Sequence, residues 1–127
     1  MRYNVRYFRL DEFRCKCGCG QVRVASGLVL LLDVVRGILG YPLTVTSGFR
    51  CPARNVKVGG AENSRHMIGC AADIVCDKVG LAHLNNFMRP VFHKDGWECK
   101  LSWNKGYFHV AVPRDAQIFW DGGDITL

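Results

Sequence analysis

No stretch of this 127-residue chain approaches the about 20 consecutive apolar residues of a membrane-spanning helix, which excludes membrane insertion by a helix of that kind. The apolar run at residues 29–35 is broken by Asp33 and reads as part of a helix. Residues 1–6 lead into no long apolar stretch, so no signal peptide is expected and synthesis is expected in a cytoplasm. Repeats, low-complexity segments and linkers are missing too, which leaves a single domain over residues 1–127, expected as a monomer. Arg and Lys, 17 against 11 acidic residues, are scattered rather than massed in one run, so no nucleic-acid partner is expected. No cysteine has the local signature of a nucleophile.

What is present suits a packed domain. Hydrophobic residues make up 49% of the chain, enough for an interior that needs no covalent staples. The seven cysteines are an odd number, which rules out complete internal pairing, and without an export signal reduced thiols are the default. Cys15, Cys17 and Cys19 could donate thiolates to a second metal. Their one-residue gaps differ from the two-to-four-residue gaps usual in structural zinc sites, so they read as small buried or turn residues. Cys70 and Cys76 read as small core residues.

Periodicity divides the chain into short elements. Residues 8–13 form a lead-in segment that packs Phe8, Leu10 and Phe13. A helix is predicted over 26–39, with Ser26 as N-cap, a buried face of Leu28, Leu31, Leu32, Val35 and Leu39, and a stop at Gly40-Tyr41-Pro42. Strands are predicted at 43–46 and 73–76, a short helix at 53–58, and a helix from Asp77 to about Phe92. Residues 100–103 and 107–112 read as a hairpin, and 117–120 as an edge strand. The class is α+β, with helices packed on a small, mostly antiparallel sheet.

The chemistry concentrates in Ser64-Arg65-His66-Met67-Ile68-Gly69-Cys70-Ala71-Ala72-Asp73 and in the later run Tyr107-Phe108-His109-Val110. Taken singly, His66 and His109 are ordinary surface histidines and Asp73 a capping aspartate. Together they match the two imidazoles and one carboxylate that hold a catalytic zinc with a fourth position open. His66 follows the irregular stretch 59–64, Asp73 begins a β-branched run, and His109 alternates with core-facing Phe108 and Val110. A loop ligand and two strand ligands can converge on one ion.

These residues carry a resemblance. Ser47-Gly48-Phe49-Arg50-Cys51-Pro52-Ala53-Arg54-Asn55, Val58-Gly59-Gly60 and the Ser-x-His-x-x-Gly-x-Ala-x-Asp pattern from Ser64 to Asp73 resemble the zinc D-alanyl-D-alanine carboxypeptidase family. That family includes VanX-type dipeptidases and phage endolysins, and the hedgehog signalling domain is a non-catalytic relative. Leu10-Asp11-Glu12-Phe13 with the following cysteines is similar to the start of small phage members. The likeness covers about residues 8–113. It implies a hedgehog-like peptidase fold, Zn2+ as cofactor, and peptidoglycan or its D-amino-acid peptides as substrate. It also implies action on the bacterial cell wall as a phage lysis or virion-associated protein. The net charge of +6 would then favour encounter with an anionic envelope, or it is a solvated surface with no partner.

The same resemblance suggests roles beyond the metal. Arg50 falls where the family uses an arginine near substrate, to hold a carboxylate or stabilise an oxyanion, or else it fixes its loop. Ser64 helps orient substrate in the family, or it bonds its own backbone. Hydrolysis also needs a general base, which the family supplies shortly before the last ligand. Residues 99–108 contain no Asp or Glu here; Tyr107 stands where some members have histidine and Ala111 where many have aspartate. A two- or four-residue turn would pair 102 with 107 and 98 with 111, turning Glu98, Lys100 and His109 to one face. Glu98 is therefore the candidate base, with Asp95 and Glu62 as alternatives and a solvated strand residue as the bland reading. An inactive zinc-bearing wall-binding or structural module is the competing function.

Overall fold

The computed structural model describes residues 1–90 and 96–127. A two-residue strand, β1 (Arg2–Tyr3), leads through a 3-10 turn at Leu10–Phe13 to helix α1 (Ser26–Leu39). Leu28, Val29, Leu32 and Val35 form the buried stripe of α1, while Leu31 and Leu39 are only partly covered. The N-cap is Ala25 rather than Ser26, and no side chain caps the helix. Tertiary pairing does that work, because Ala25 N–H donates to the Gly69 carbonyl (2.8 Å) and Ser26 N–H to that of Ile118 (3.0 Å). Gly40 ends the helix in the left-handed region at φ 77°.

Strand β2 (Thr44–Ser47) and helix α2 (Pro52–Lys57) follow, then a 3-10 turn at Arg65–Ile68 and strand β3 (Ala71–Val75). Helix α3 (Lys78–Met88) is capped by Asp77, whose Oδ1 accepts from Gly80 N–H at 2.7 Å. The helix, expected to run to about Phe92, ends at Met88, just ahead of Pro90; residues 91–95 lie outside the described residues. Strands β4 (Glu98–Ser102), β5 (Tyr107–Ala111) and β6 (Ile125–Thr126) complete the chain.

The main sheet runs β2-β3-β5-β4 and is antiparallel throughout. Strand alternation sends Ala72, Ile74, Phe108 and Val110 into the core shared with α1 and α3, and all four are fully covered. The opposite face carries the row Asp73, His109, Lys100, paired across three strands. The four-residue turn between β4 and β5 gives Ser102↔Tyr107 and Glu98↔Ala111, the register that puts Glu98 on the His109 face. The edge strand expected at 117–120 does not form. That segment runs against the backbone before α1, through a bridge from Ala25 to Phe119 and a bond from Trp120 N–H to Val24 O (2.8 Å). A small pairing of β1 with β6 ties the two ends of the chain together.

Asp33, the charge inside the apolar run, has a structural role. It is 1% exposed and accepts from Tyr3 Oη (2.6 Å), Tyr7 N–H (2.8 Å) and Arg6 N–H (3.2 Å), fastening residues 3–7 to α1. Burial and the Asp33 contact push the Tyr3 phenol up to about 12.

Candidate metal centre

His66 sits on the turn at Arg65–Ile68, and its neighbours fix its orientation. Ser64 Oγ accepts the His66 N–H (3.2 Å), so this serine caps the turn. Gly69 closes the turn at φ 76°, and a Cβ there would lie 2.6 Å from the Arg23 carbonyl oxygen, so only glycine fits. The imidazole is 2% exposed, with Nδ1 2.8 Å from the Gly48 carbonyl. A carbonyl can only accept, so Nδ1 carries the proton and the Nε2 lone pair faces the centre.

Asp73 and His109 are direct cross-strand partners. His109 Nδ1 lies 2.8 Å from Asp73 Oδ1, and His66 Nε2 lies 3.3 Å from the same oxygen. One donor atom from each of the three residues falls within a 4.8 Å cluster. Two donors bound about 2.0–2.1 Å from a tetrahedral ion are about 3.3 Å apart, so the set fits zinc in both size and ligand chemistry. Burial would raise the Asp73 carboxyl, but the hydrogen bond from His109 and the nearby His66 imidazole outweigh it and hold the group well below the usual carboxylate range. Burial opposes the charged form of His109, and Asp73 and then Glu98 overcome that and raise its pKa.

Arg50 spans the wall behind Asp73. It donates from Nη2 to Asp73 Oδ2 (3.4 Å), from Nη1 to Asn55 Oδ1 (3.2 Å) and from Nε to Ser47 Oγ (3.1 Å). Two of its five N–H groups remain for other partners. Asn55, which the sequence reading passes over, is 3% exposed and ties α2 to the Ala61 carbonyl (2.8 Å). Its signal is the nearby glycine pair: a Cβ on Gly60 would meet Asn55 Oδ1 at 2.1 Å and Arg50 Nη1 at 2.9 Å.

Glu98 lies on the His109 face, as the hairpin register requires, and its Oε1 accepts at 2.8 Å from His109 Nε2, the ring nitrogen other than the one that meets Asp73. Buried Ala111 lies directly across from Glu98, and its small side chain leaves room for that diagonal reach. A carboxylate thus arrives from the neighbouring strand beside the position where the resemblance expects an aspartate. Glu62 is not part of the cleft wall, and Asp95 lies outside the described residues.

The centre opens into a cleft of about 510 Å³. Arg50, Arg65, Lys100, Lys105 and Arg114 line it, with Asp73 and Glu98 as its carboxylates among the described residues. Arg65 and Arg114 are anchored to backbone carbonyls, Arg65 to those of Gly96 and Val112 and Arg114 to that of Asn63. Such a cleft favours an anionic ligand.

Comparison with known proteins agrees with this chemistry. Residues 6–111 match the family model described as Peptidase M15. The chain is also similar to the zinc D-Ala-D-Ala carboxypeptidase of Streptomyces albus G, 38% identical over 88 residues, which cover 64% of this chain and 34% of that protein. The matched region is therefore about a third of the relative's length. With a family match over most of its length, the chain belongs to the peptidase M15 family of zinc metallopeptidases.

Proposed function

We propose that this protein is a zinc peptidase that hydrolyses peptidoglycan stem peptides, as a D-Ala-D-Ala carboxypeptidase or an endolysin-type endopeptidase. The observation that carries this reading is the convergence of His66 Nε2, Asp73 Oδ1 and His109 Nδ1 at the floor of a basic cleft. These three atoms would hold the ion, which supplies Lewis-acid polarisation of a carbonyl and brings the pKa of a water near neutrality. Gly48 orients His66 through its carbonyl, and Arg50 fixes Asp73 by donating to its Oδ2. The remaining Arg50 N–H groups, with Lys100 and Lys105, suit the carboxylate of a peptide terminus or side chain. Glu98, half-exposed beside His109, takes the proton from water and passes it to the leaving amine. On this reading the protein meets its substrate in the wall, as a phage lysis or virion-associated enzyme does; among the described residues no helix is long and apolar enough to cross a membrane.

One observation favours a second reading, a zinc-bearing wall-binding module without turnover. The Glu98 carboxylate is engaged by His109, and beyond Asp73 no other carboxylate lines the cleft among the described residues. Product analysis on purified sacculi separates the two. The enzyme reading expects released D-alanine, or newly freed amino groups within cross-links, with zinc and none after chelation. Zinc-loaded protein that binds sacculi and releases nothing would leave the module reading.

A further inference from the structure

The fold gathers a second set of metal donors that the peptidase chemistry does not use. Cys15, Cys17, Cys19 and Cys51 each place a sulfur within one 4.8 Å cluster. Cys17 Sγ lies 3.5 Å from both Cys15 Sγ and Cys51 Sγ. Four sulfurs about 2.3 Å from a tetrahedral ion are about 3.8 Å apart, whereas a disulfide requires about 2.05 Å. The spacing is that of a thiolate cage around an ion.

Local structure explains how one-residue gaps can still form such a cage. Arg14 and Val22 bridge across the loop, and Cys15 N–H donates to the Gln21 carbonyl at 2.9 Å, closing the intervening residues into a tight knuckle. Gly18 and Gly20 both adopt left-handed backbone, at φ 88° and 80°, which lets Cys17 and Cys19 turn toward the same side. Cys51 arrives from the far end of the sequence cluster because Gly48 packs directly on the Phe13 backbone, where a Cβ would come within 2.6 Å. Phe49 N–H then bonds Phe13 O (2.9 Å), and Cys51 N–H donates to Cys15 Sγ (3.4 Å). Backbone N–H groups aimed at a sulfur stabilise it as a thiolate. Apolar packing here is small: among the described residues, Phe49 alone joins Cys15 and Cys51 in a buried cluster separate from the main core.

We propose that Cys15, Cys17, Cys19 and Cys51 form a second, structural zinc site. It cross-links the loop at residues 15–19 to the segment 48–51, which carries the Gly48 carbonyl that orients His66 and the Arg50 that holds Asp73. Its role is positioning, at a distance from the reacting atoms. A fully coordinated thiolate site is closed to substrate, in contrast to the three-ligand centre in the cleft.

The test is metal stoichiometry and cobalt spectroscopy on the full chain, purified under reducing conditions. Two zinc equivalents per chain are expected, with His66→Ala losing one and Cys51→Ser losing the other. Cobalt exchanged into wild-type protein should give the intense near-ultraviolet thiolate-to-cobalt absorption, and His66→Ala should keep it. That measurement needs no cysteine variant, so a poorly folding Cys51→Ser cannot obscure the answer. Cys17→Ser and Cys19→Ser, at exposed positions, should each weaken the band. The proposal is overturned by a single zinc equivalent that His66→Ala removes, by a cobalt spectrum without thiolate bands, or by disulfides among these four residues. Any of these results leaves the cleft reading intact.

Discussion

Replacing Glu98 with glutamine removes one negative charge from the cleft while keeping the side chain's size. Its Oε1 lies 2.8 Å from His109 Nε2 and its side chain is 51% exposed, so folding stability should change little. Two catalytic roles then predict different losses. A general base contributes about 10²–10⁴-fold, so kcat on a stem peptide should fall by that range at saturating zinc, with the zinc Kd nearly unchanged. A carboxylate that only orients the ligand histidine contributes about 10–100-fold in metal affinity, and activity should then recover when zinc is raised. The first pattern is expected. The assay is a zinc titration of both variants by competition with a chromogenic chelator, followed by steady-state kinetics at saturating metal. Wild-type kcat at saturating zinc would refute Glu98 as base, and unchanged zinc affinity as well would leave its contact with His109 without a function.

Arg50→Ala should slow cleavage by roughly two orders of magnitude, the scale of a lost oxyanion donor, while zinc stays bound; lower stability with unchanged turnover per folded molecule would make Arg50 structural. Asp33→Ala strands the Tyr3 hydroxyl and two backbone N–H groups, so denaturant unfolding should show a loss of about 3 kcal/mol with no change in zinc content, and a loss below about 1 kcal/mol would contradict the fastening role. Chelated protein should have a bell-shaped stability profile. The depressed Asp73 contributes fully above an unfolded pKa of about 3.9 and loses that contribution as pH falls further, whereas the raised His109 contributes below about 6.5 and loses it as pH rises through its folded value. Melting temperatures that stay level from pH 3 to 8 would contradict that coupling.

The convergence of His66, Asp73 and His109 was legible because these residues lie where local pattern is strong. Gly69, Ala71 and Ala72 mark a tight turn into a buried strand, and the alternation of Phe108, His109 and Val110 fixes the direction of the imidazole. The face of Glu98 stayed conditional in the sequence, since a two- or four-residue turn puts it beside His109 and a three-residue turn on the other side; the observed turn has four residues. Contacts distant in sequence were less legible. Asp33 reads as a break in an apolar run, because its partners Tyr3, Arg6 and Tyr7 lie far upstream. Cys51 carries no spacing signal toward Cys15, since their meeting depends on the close approach of Gly48 to Phe13. The segment 117–120 has strand-like residues, but its available backbone partners are those before α1 rather than a sheet edge.

The central claim is that His66, Asp73 and His109 hold the working zinc. Anomalous diffraction from zinc-loaded crystals, recorded on either side of the zinc absorption edge, tests it most directly. A peak is expected in the cleft about 2.0–2.1 Å from His66 Nε2, Asp73 Oδ1 and His109 Nδ1, lost in His109→Ala together with peptide cleavage. No peak at that position in protein that cleaves stem peptides, or full cleavage by His109→Ala, would contradict it.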